Sequence, residues 1–177
     1  MGTRSTIAIL DKKGTVNCVF ACMDGNIFHN GVILYEHYKD IDKIKNLIQL
    51  GAINSLGEEI NVPVGAVHTL NQRHAGVTTF FCRDGKESRC ETSSFSSLNE
   101  YSESGELQEY NYLFKEESNC WYVLNPNNKI IQELETVIIN DIKVTDAFKS
   151  MINSVKLSKK LDKQLNNNNH SDKKMKI

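Results

Sequence analysis

The chain has 177 residues, 40% of them hydrophobic, and a formal net charge of −1. That length and apolar fraction suffice for one packed domain. The near-zero charge lacks the basic excess of a non-specific nucleic-acid binder, and no apolar run approaches the ~20 residues of a membrane span.

The first predicted elements are strands. "TRSTIAIL" and "TVNCVFACM" are rich in β-branched residues and flank the turn "DKKG". They predict an antiparallel hairpin, residues 3–10 against 15–23. The short apolar run near Met1 has no small-residue cleavage site, so no secretory leader is expected. The period changes at "HNGVILYEHY", where Asn30 is placed to cap a helix carrying Ile33, Leu34 and Tyr38 at helical spacing. A second helix, "DIDKIKNLIQLG", has Asp40 as cap, Ile41, Ile44, Leu47 and Ile48 as apolar stripe, and Gly51 as stop.

Residues 58–76 read as a loop containing Pro63, and residues 76–84 as a strand. The polar segment 88–109 is open between a loop and a short helix near 94–101. Alternating aromatics predict a second hairpin, 110–115 against 120–124. "KIIQELETVIIND" fits strand or helix. Beyond Thr145, Phe148, Met151, Ile152 and Val155 share one helical face, and "NNNNHSDKKMKI" is a polar, low-complexity ending. The expected class is therefore α+β: a mostly antiparallel sheet, built from the N-terminal and the later hairpin, packed with a helix pair and a C-terminal helix. The expected organisation is a single domain over 1–165 and a disordered polar tail over 166–177.

Five cysteines, Cys18, Cys22, Cys82, Cys90 and Cys120, form no C-x-x-C. Neither a disulfide framework nor a zinc ribbon is expected, which fits a reducing cytoplasm. The motif classes that identify P-loop, dinucleotide-binding, zincin and α/β-hydrolase proteins are absent from the sequence.

Three groups of residues carry candidate chemistry. Asp24, Gly25, His29, Asn30, Gly31 and His37 sit where the first hairpin gives way to a helix. Free N–H groups there suit an anion, and His29 has the chemistry of a phosphate donor or general base. His29 and His37 are eight residues apart, which is not a metal-ligand spacing on one helical face, so no metal and no cofactor are expected. Arg83 and Asp84 end the strand at "CRDGKE", with Arg83 a candidate fork for phosphate or carboxylate. His68, Arg73 and His74 lie in the loop just upstream and are placed to line the same rim. Arg4 lies at the start of the first strand, and Asp24 is its expected buried ion-pair partner. The predicted ligand set is Arg4, His29, Asn30 and Arg83, supported by Asp24, Gly25, Gly31 and His37.

"MGTRSTIAI", "DG…HNGVILYEHY", "LIQLGAINSLG", "RDGKE" and "NYLF…CWYV" occur in that order. The set resembles a family of small bacteriophage and prophage proteins that open with Met-Gly-Thr-Arg-Ser, over residues 1–123. The chain departs from that family's pattern at Met23 and Asn26, where aromatic residues are usual, and at Gly85. The resemblance implies a phage-encoded accessory protein of host takeover or counter-defence, acting in the host cytoplasm. The expected partner is a small anionic, nucleotide-type signal held by sequestration, or a host protein inhibited by direct binding. A small acid/base or metal-assisted nucleotide hydrolase using His29, His37 and Asp24 is the alternative. Oligomeric state is left open.

Overall fold

Strand β1 (Ser5–Leu10) occupies the centre of the sheet, hydrogen-bonded on both edges. The computed structural model describes residues 2–86 and 90–140, which belong to the unit spanning Met1–Ile142. The expected helix beyond Thr145 and the boundary at residue 165 lie outside the described residues.

The first hairpin forms as the sequence predicts. β2 (Val16–Ala21) runs antiparallel to β1, in register from Ser5 opposite Ala21 to Leu10 opposite Val16. Asp11 builds the turn: its Oδ1 accepts from the N–H groups of Lys13 at 2.8 Å and Thr15 at 2.9 Å. A π-helical turn, Ile27–Gly31, runs directly into α1 (Val32–His37), and α2 (Ile41–Gln49) follows. Asp40 caps α2 by accepting from Lys43 N–H at 2.8 Å, and Gly51 ends it at φ +84°. The chain continues as β3 (Ile53–Ser55), β4 (Thr79–Phe80), α3 (Phe81–Gly85), β5 (Ser93–Phe95) and α4 (Leu98–Glu103). It ends as β6 (Tyr110–Lys115), β7 (Cys120–Leu124), β8 (Ile131–Glu133) and α5 (Leu134–Asn140).

The sheet has eight strands in the order β4-β3-β2-β1-β6-β7-β8, with β5 pairing the first half of β2. It is mixed, which corrects the expectation of a mostly antiparallel sheet. Both predicted hairpins are antiparallel, but they join through a six-residue parallel pairing of β1 with β6. β3 also lies parallel to β2. The reason is connection length. A parallel neighbour needs a long crossover; α1 and α2 supply it before β3, and residues 11–109 supply it before β6.

Two other expectations change locally. The strand predicted over 76–84 is only two residues long, because Asp84 Oδ2 accepts from Phe80 N–H at 2.8 Å and turns the chain into α3. The ambiguous "KIIQELETVIIND" contains both β8 and α5.

Alternation along β1 assigns its two faces. Ala8 joins Val16, Cys18, Tyr101, Leu113 and Leu124 in a buried cluster on the α4 side. α2 packs against β1 and β2 and buries Ile44, Leu47 and Ile48. Trp121 is buried and donates through Nε1 to Tyr38 O at 2.7 Å, tying β7 to the end of α1. No helix among the described residues is long and apolar enough to cross a membrane.

Gly25 is a steric requirement. A Cβ there would lie 2.6 Å from the Arg4 carbonyl carbon and 2.8 Å from the Ser5 nitrogen. Gly25→Ala is expected to destabilise the fold by about 2 kcal/mol or more through backbone overlap, read as a lower midpoint in urea unfolding. An unchanged midpoint would show that the β1 entry moves aside freely.

Candidate functional site

The first candidate segment is a structural corner. Its cap is Asn26, not Asn30: Asn26 Oδ1 accepts from His29 N–H at 3.1 Å. Asn30 points inward and is fully buried. Its Nδ2 donates to Ser5 Oγ at 3.2 Å and to Met23 O at 3.3 Å. A carbonyl only accepts, so Asn30 Oδ1 must be the atom 3.0 Å from His29 Nδ1, and that ring nitrogen carries the proton. His29 is half-buried, with Nδ1 turned to Asn30. Gly31 faces Tyr112, whose ring would lie 3.3 Å from an added Cβ, and Tyr112 Oη donates to Gly25 O at 2.8 Å.

Asp24 is exposed in the left-handed region at φ +54°, a conformation Asp tolerates better than most residues. Among the described residues it forms no ion pair with Arg4, which corrects the expected buried pair. Register explains this: Ser5 pairs with Ala21, so Arg4 stands opposite Cys22, and Asp24 lies beyond the pairing. His37, in the last turn of α1, lies 3.9 Å from Glu58 at an exposed site where ion pairs contribute little.

Arg83 is the centre of a structural clamp. Its Nη1 donates to Ile60 O and its Nη2 to Thr78 O, each at 2.6 Å. Its Nε and Nη2 also fork onto Asp84 at 2.7 and 2.8 Å. With those donors committed, Arg83 is not the ligand fork that the sequence suggests. His68 completes the clamp. Its side chain is 0% exposed and that of Asp84 is 4% exposed. His68 Nδ1 accepts from His74 N–H at 3.0 Å, so Nε2 carries the proton, facing Asp84 Oδ2 at 3.4 Å and Thr79 Oγ1 at 3.3 Å. The clamp holds the base of the loop that carries Arg73.

Arg73 reaches back to the end of the sheet. Its Nη1 lies 3.4 Å from Ser55 Oγ, and both terminal nitrogens lie 3.8 Å from Met23 Sδ. There it lines a cleft of about 650 Å³ with Arg4, Cys22, Met23, Asn54 and Glu109. The Arg4 backbone is fixed: its N–H donates to Glu109 Oε1 at 3.2 Å and its carbonyl accepts from Tyr110 N–H at 3.4 Å. Its guanidinium has no protein partner among the described residues. Asn54 Oδ1 is buried without a partner, at the irregular pairing of β3 with β4. A polar group in that state is one that water or a ligand ordinarily satisfies.

Of the predicted set, then, Arg4 lines the cleft, His29 and Asn30 build the corner beside it, and Arg83 acts at a distance by holding the loop. Arg73 was placed on the expected rim by sequence position alone; Asn54 and Cys22 carried no local signal. At the opposite end of the hairpin a second cleft, of about 600 Å³, holds Lys12, Lys13 and Lys45. There Lys45 is already paired with Glu116 at 2.8 Å. Comparison with protein families, curated proteins and solved structures finds no match to this chain.

Asp84→Ala would leave Arg83, His68 and the Phe80 N–H without their acceptor. It is expected to cost about 3 kcal/mol, whereas His37→Ala should change stability by less than about 0.5 kcal/mol. Urea unfolding of the two variants checks the contrast; equal effects would show that the clamp is not structural.

Proposed function

We propose that this protein binds a small anionic ligand of nucleotide type in the cleft at the β1 entry, and acts by occupancy rather than turnover. The observation that carries the reading is the presence of two arginines, Arg4 and Arg73, in one cleft of about 650 Å³. Arg4 has a guanidinium unengaged among the described residues, on an anchored backbone. Arg73 Nε donates to Leu70 O at 3.2 Å, while its two terminal nitrogens make only long contacts to Ser55 and Met23 that a phosphate would displace. Two guanidiniums outweigh the one carboxylate, Glu109, which already accepts from the Arg4 N–H. The resemblance to phage proteins makes the biological reading sequestration of a signalling nucleotide in the host cytoplasm, as host takeover or counter-defence.

The test is incubation with a panel of mono-, di- and cyclic nucleotides, removal of free ligand, heat denaturation and identification of what is released. Intact nucleotide is the expected result. Arg4→Ala and Arg73→Ala should each weaken retention by about tenfold or more, while Lys12→Ala, at the far end of the hairpin, should not. Altered products would replace sequestration by hydrolysis. Retention of nothing across the panel would leave direct inhibition of a host protein as the standing alternative.

Cysteine labelling gives an independent check. Burial pushes the Cys18 thiol up to about 12, with Glu106 adding to the shift, so Cys18 should resist iodoacetamide at pH 8. Cys22 lies half-buried in the cleft and Cys120 is exposed. A retained nucleotide should slow alkylation of Cys22 and leave Cys120 unaffected, as mapped by mass spectrometry.

A further inference from the structure

Cys82 and Cys90 are joined by a disulfide, with Cα atoms 5.3 Å apart, a single cross-link where no disulfide framework is expected from the sequence. The position of the bond gives it a consequence. Cys82 belongs to α3, a one-turn helix with no side-chain cap and one buried residue, Phe81. A helix that short is not stable by itself. It nevertheless carries Arg83 and Asp84, the two residues on which the clamp depends. Cys90 lies against the end of α2. Its backbone lies so close to Gly51, at the end of α2, that an added Cβ there would fall 2.8 Å from the Cys90 carbonyl oxygen. The bond thus ties a marginal helix to the end of a well-packed one. Cys18, Cys22 and Cys120 are free, so this pair is the sole cross-link among the described residues.

We infer that the Cys82–Cys90 pair is a redox-sensitive staple that sets the order of the loop carrying Arg73. In the disulfide form α3 is held, the clamp closes on Ile60, Thr78 and His68, and Arg73 is presented at the cleft. In the dithiol form α3 and the clamp open more often, and the loop is released. The oxidant is a low-molecular-weight disulfide such as glutathione disulfide. A thiolate of the pair attacks one of its sulfurs and a glutathione thiolate leaves. The second protein thiolate then displaces the other glutathione from the mixed disulfide. Two electrons pass to glutathione disulfide, two protons are released from the protein thiols, and two glutathiones form.

The test needs no ligand, so it stands apart from the binding proposal. The full chain is equilibrated with reduced or oxidised glutathione and quenched. Thiols are counted after denaturation, and parallel folded samples are treated with trypsin. Five thiols are expected under reduction and three under oxidation, with the bond mapped to Cys82 and Cys90. Cleavage after Arg73, followed by mass spectrometry, should be roughly tenfold or more slower in the oxidised form, because a closed loop of this size restrains local opening. Cys82→Ser should cut at the fast rate under both conditions, and Cys120→Ser should keep the redox response. The wild-type comparison stands even if Cys82→Ser does not fold. Five thiols under both conditions, a bond mapped to other cysteines, or equal cleavage rates in the two forms would each overturn the staple.

Discussion

The sheet and the helices described on it are arranged around the double pairing of β1. Its main chain bonds β2 on one edge and β6 on the other. The strand therefore has no edge to protect, and both its faces are covered. A buried polar network locks the parallel side. Thr6 donates to Asn111 Oδ1 at 2.9 Å, so Tyr101 Oη must be the donor to Thr6 Oγ1 at 2.6 Å. Asn111 also accepts from Gln108 N–H at 2.7 Å and donates to Gln108 O at 2.9 Å. Each member finds a partner, so burial carries no unsatisfied-group penalty and the β1–β6 register has a chemical reason. The same pairing fixes the Arg4 backbone, between Tyr110 on one side and the close approach of Gly25 on the other. A long side chain on an immobile backbone loses little further freedom when it meets a ligand.

The arginines divide by what surrounds them. Arg83 bonds two carbonyl oxygens and a carboxylate that match its planar fork, and it stacks 4.7 Å from the Phe80 ring. Four of its five N–H donors are thereby engaged. Among the described residues Arg4 has no partner for its guanidinium, and Arg73 has one backbone carbonyl, Leu70 O, for its Nε and only a sulfur and a distant hydroxyl for its terminal nitrogens. Residue type is the same at all three positions; the number of acceptors within reach separates framework from candidate contact.

The hairpins, the α2 cap and the Gly51 stop were legible because each is written within a few adjacent residues. Asp11 and Asp40 act on groups two to four positions away. The parallel β1–β6 join was not legible, because it brings together residues about one hundred positions apart and leaves no periodic trace in either strand. Asn30 was misassigned for a related reason. Asn26 competes for the same local N–H groups and wins them, since the π-helical turn begins one residue after it. Asn30 is then free to bond Ser5, a contact set by tertiary structure. The segment 88–109 did contain a signal. Ser97 and Glu100 have capping-box spacing, and Ser97 Oγ accepts from Glu100 N–H at 3.2 Å at the start of α4. At the cleft, Arg4 was readable as a charge at a strand start. Asn54 was not, because its importance lies in lacking a partner, and that is a property of the folded surroundings.

Order in the residues 61–76 loop links these observations. The loop is largely exposed and contributes little to the core, so its conformation is the least secured part of the cleft. If a ligand alone had to order Arg73, its apparent affinity would fall by the fraction of time the loop is out of place. The Arg83–Asp84–His68 clamp reduces that loss in advance, using residues that never touch the cleft. A charged cluster with two side chains almost fully buried is a costly device for a surface loop that merely connects strands. It is a reasonable one where the loop has to hold a guanidinium at a cleft, and Arg73 lines the cleft at the β1 entry together with Arg4.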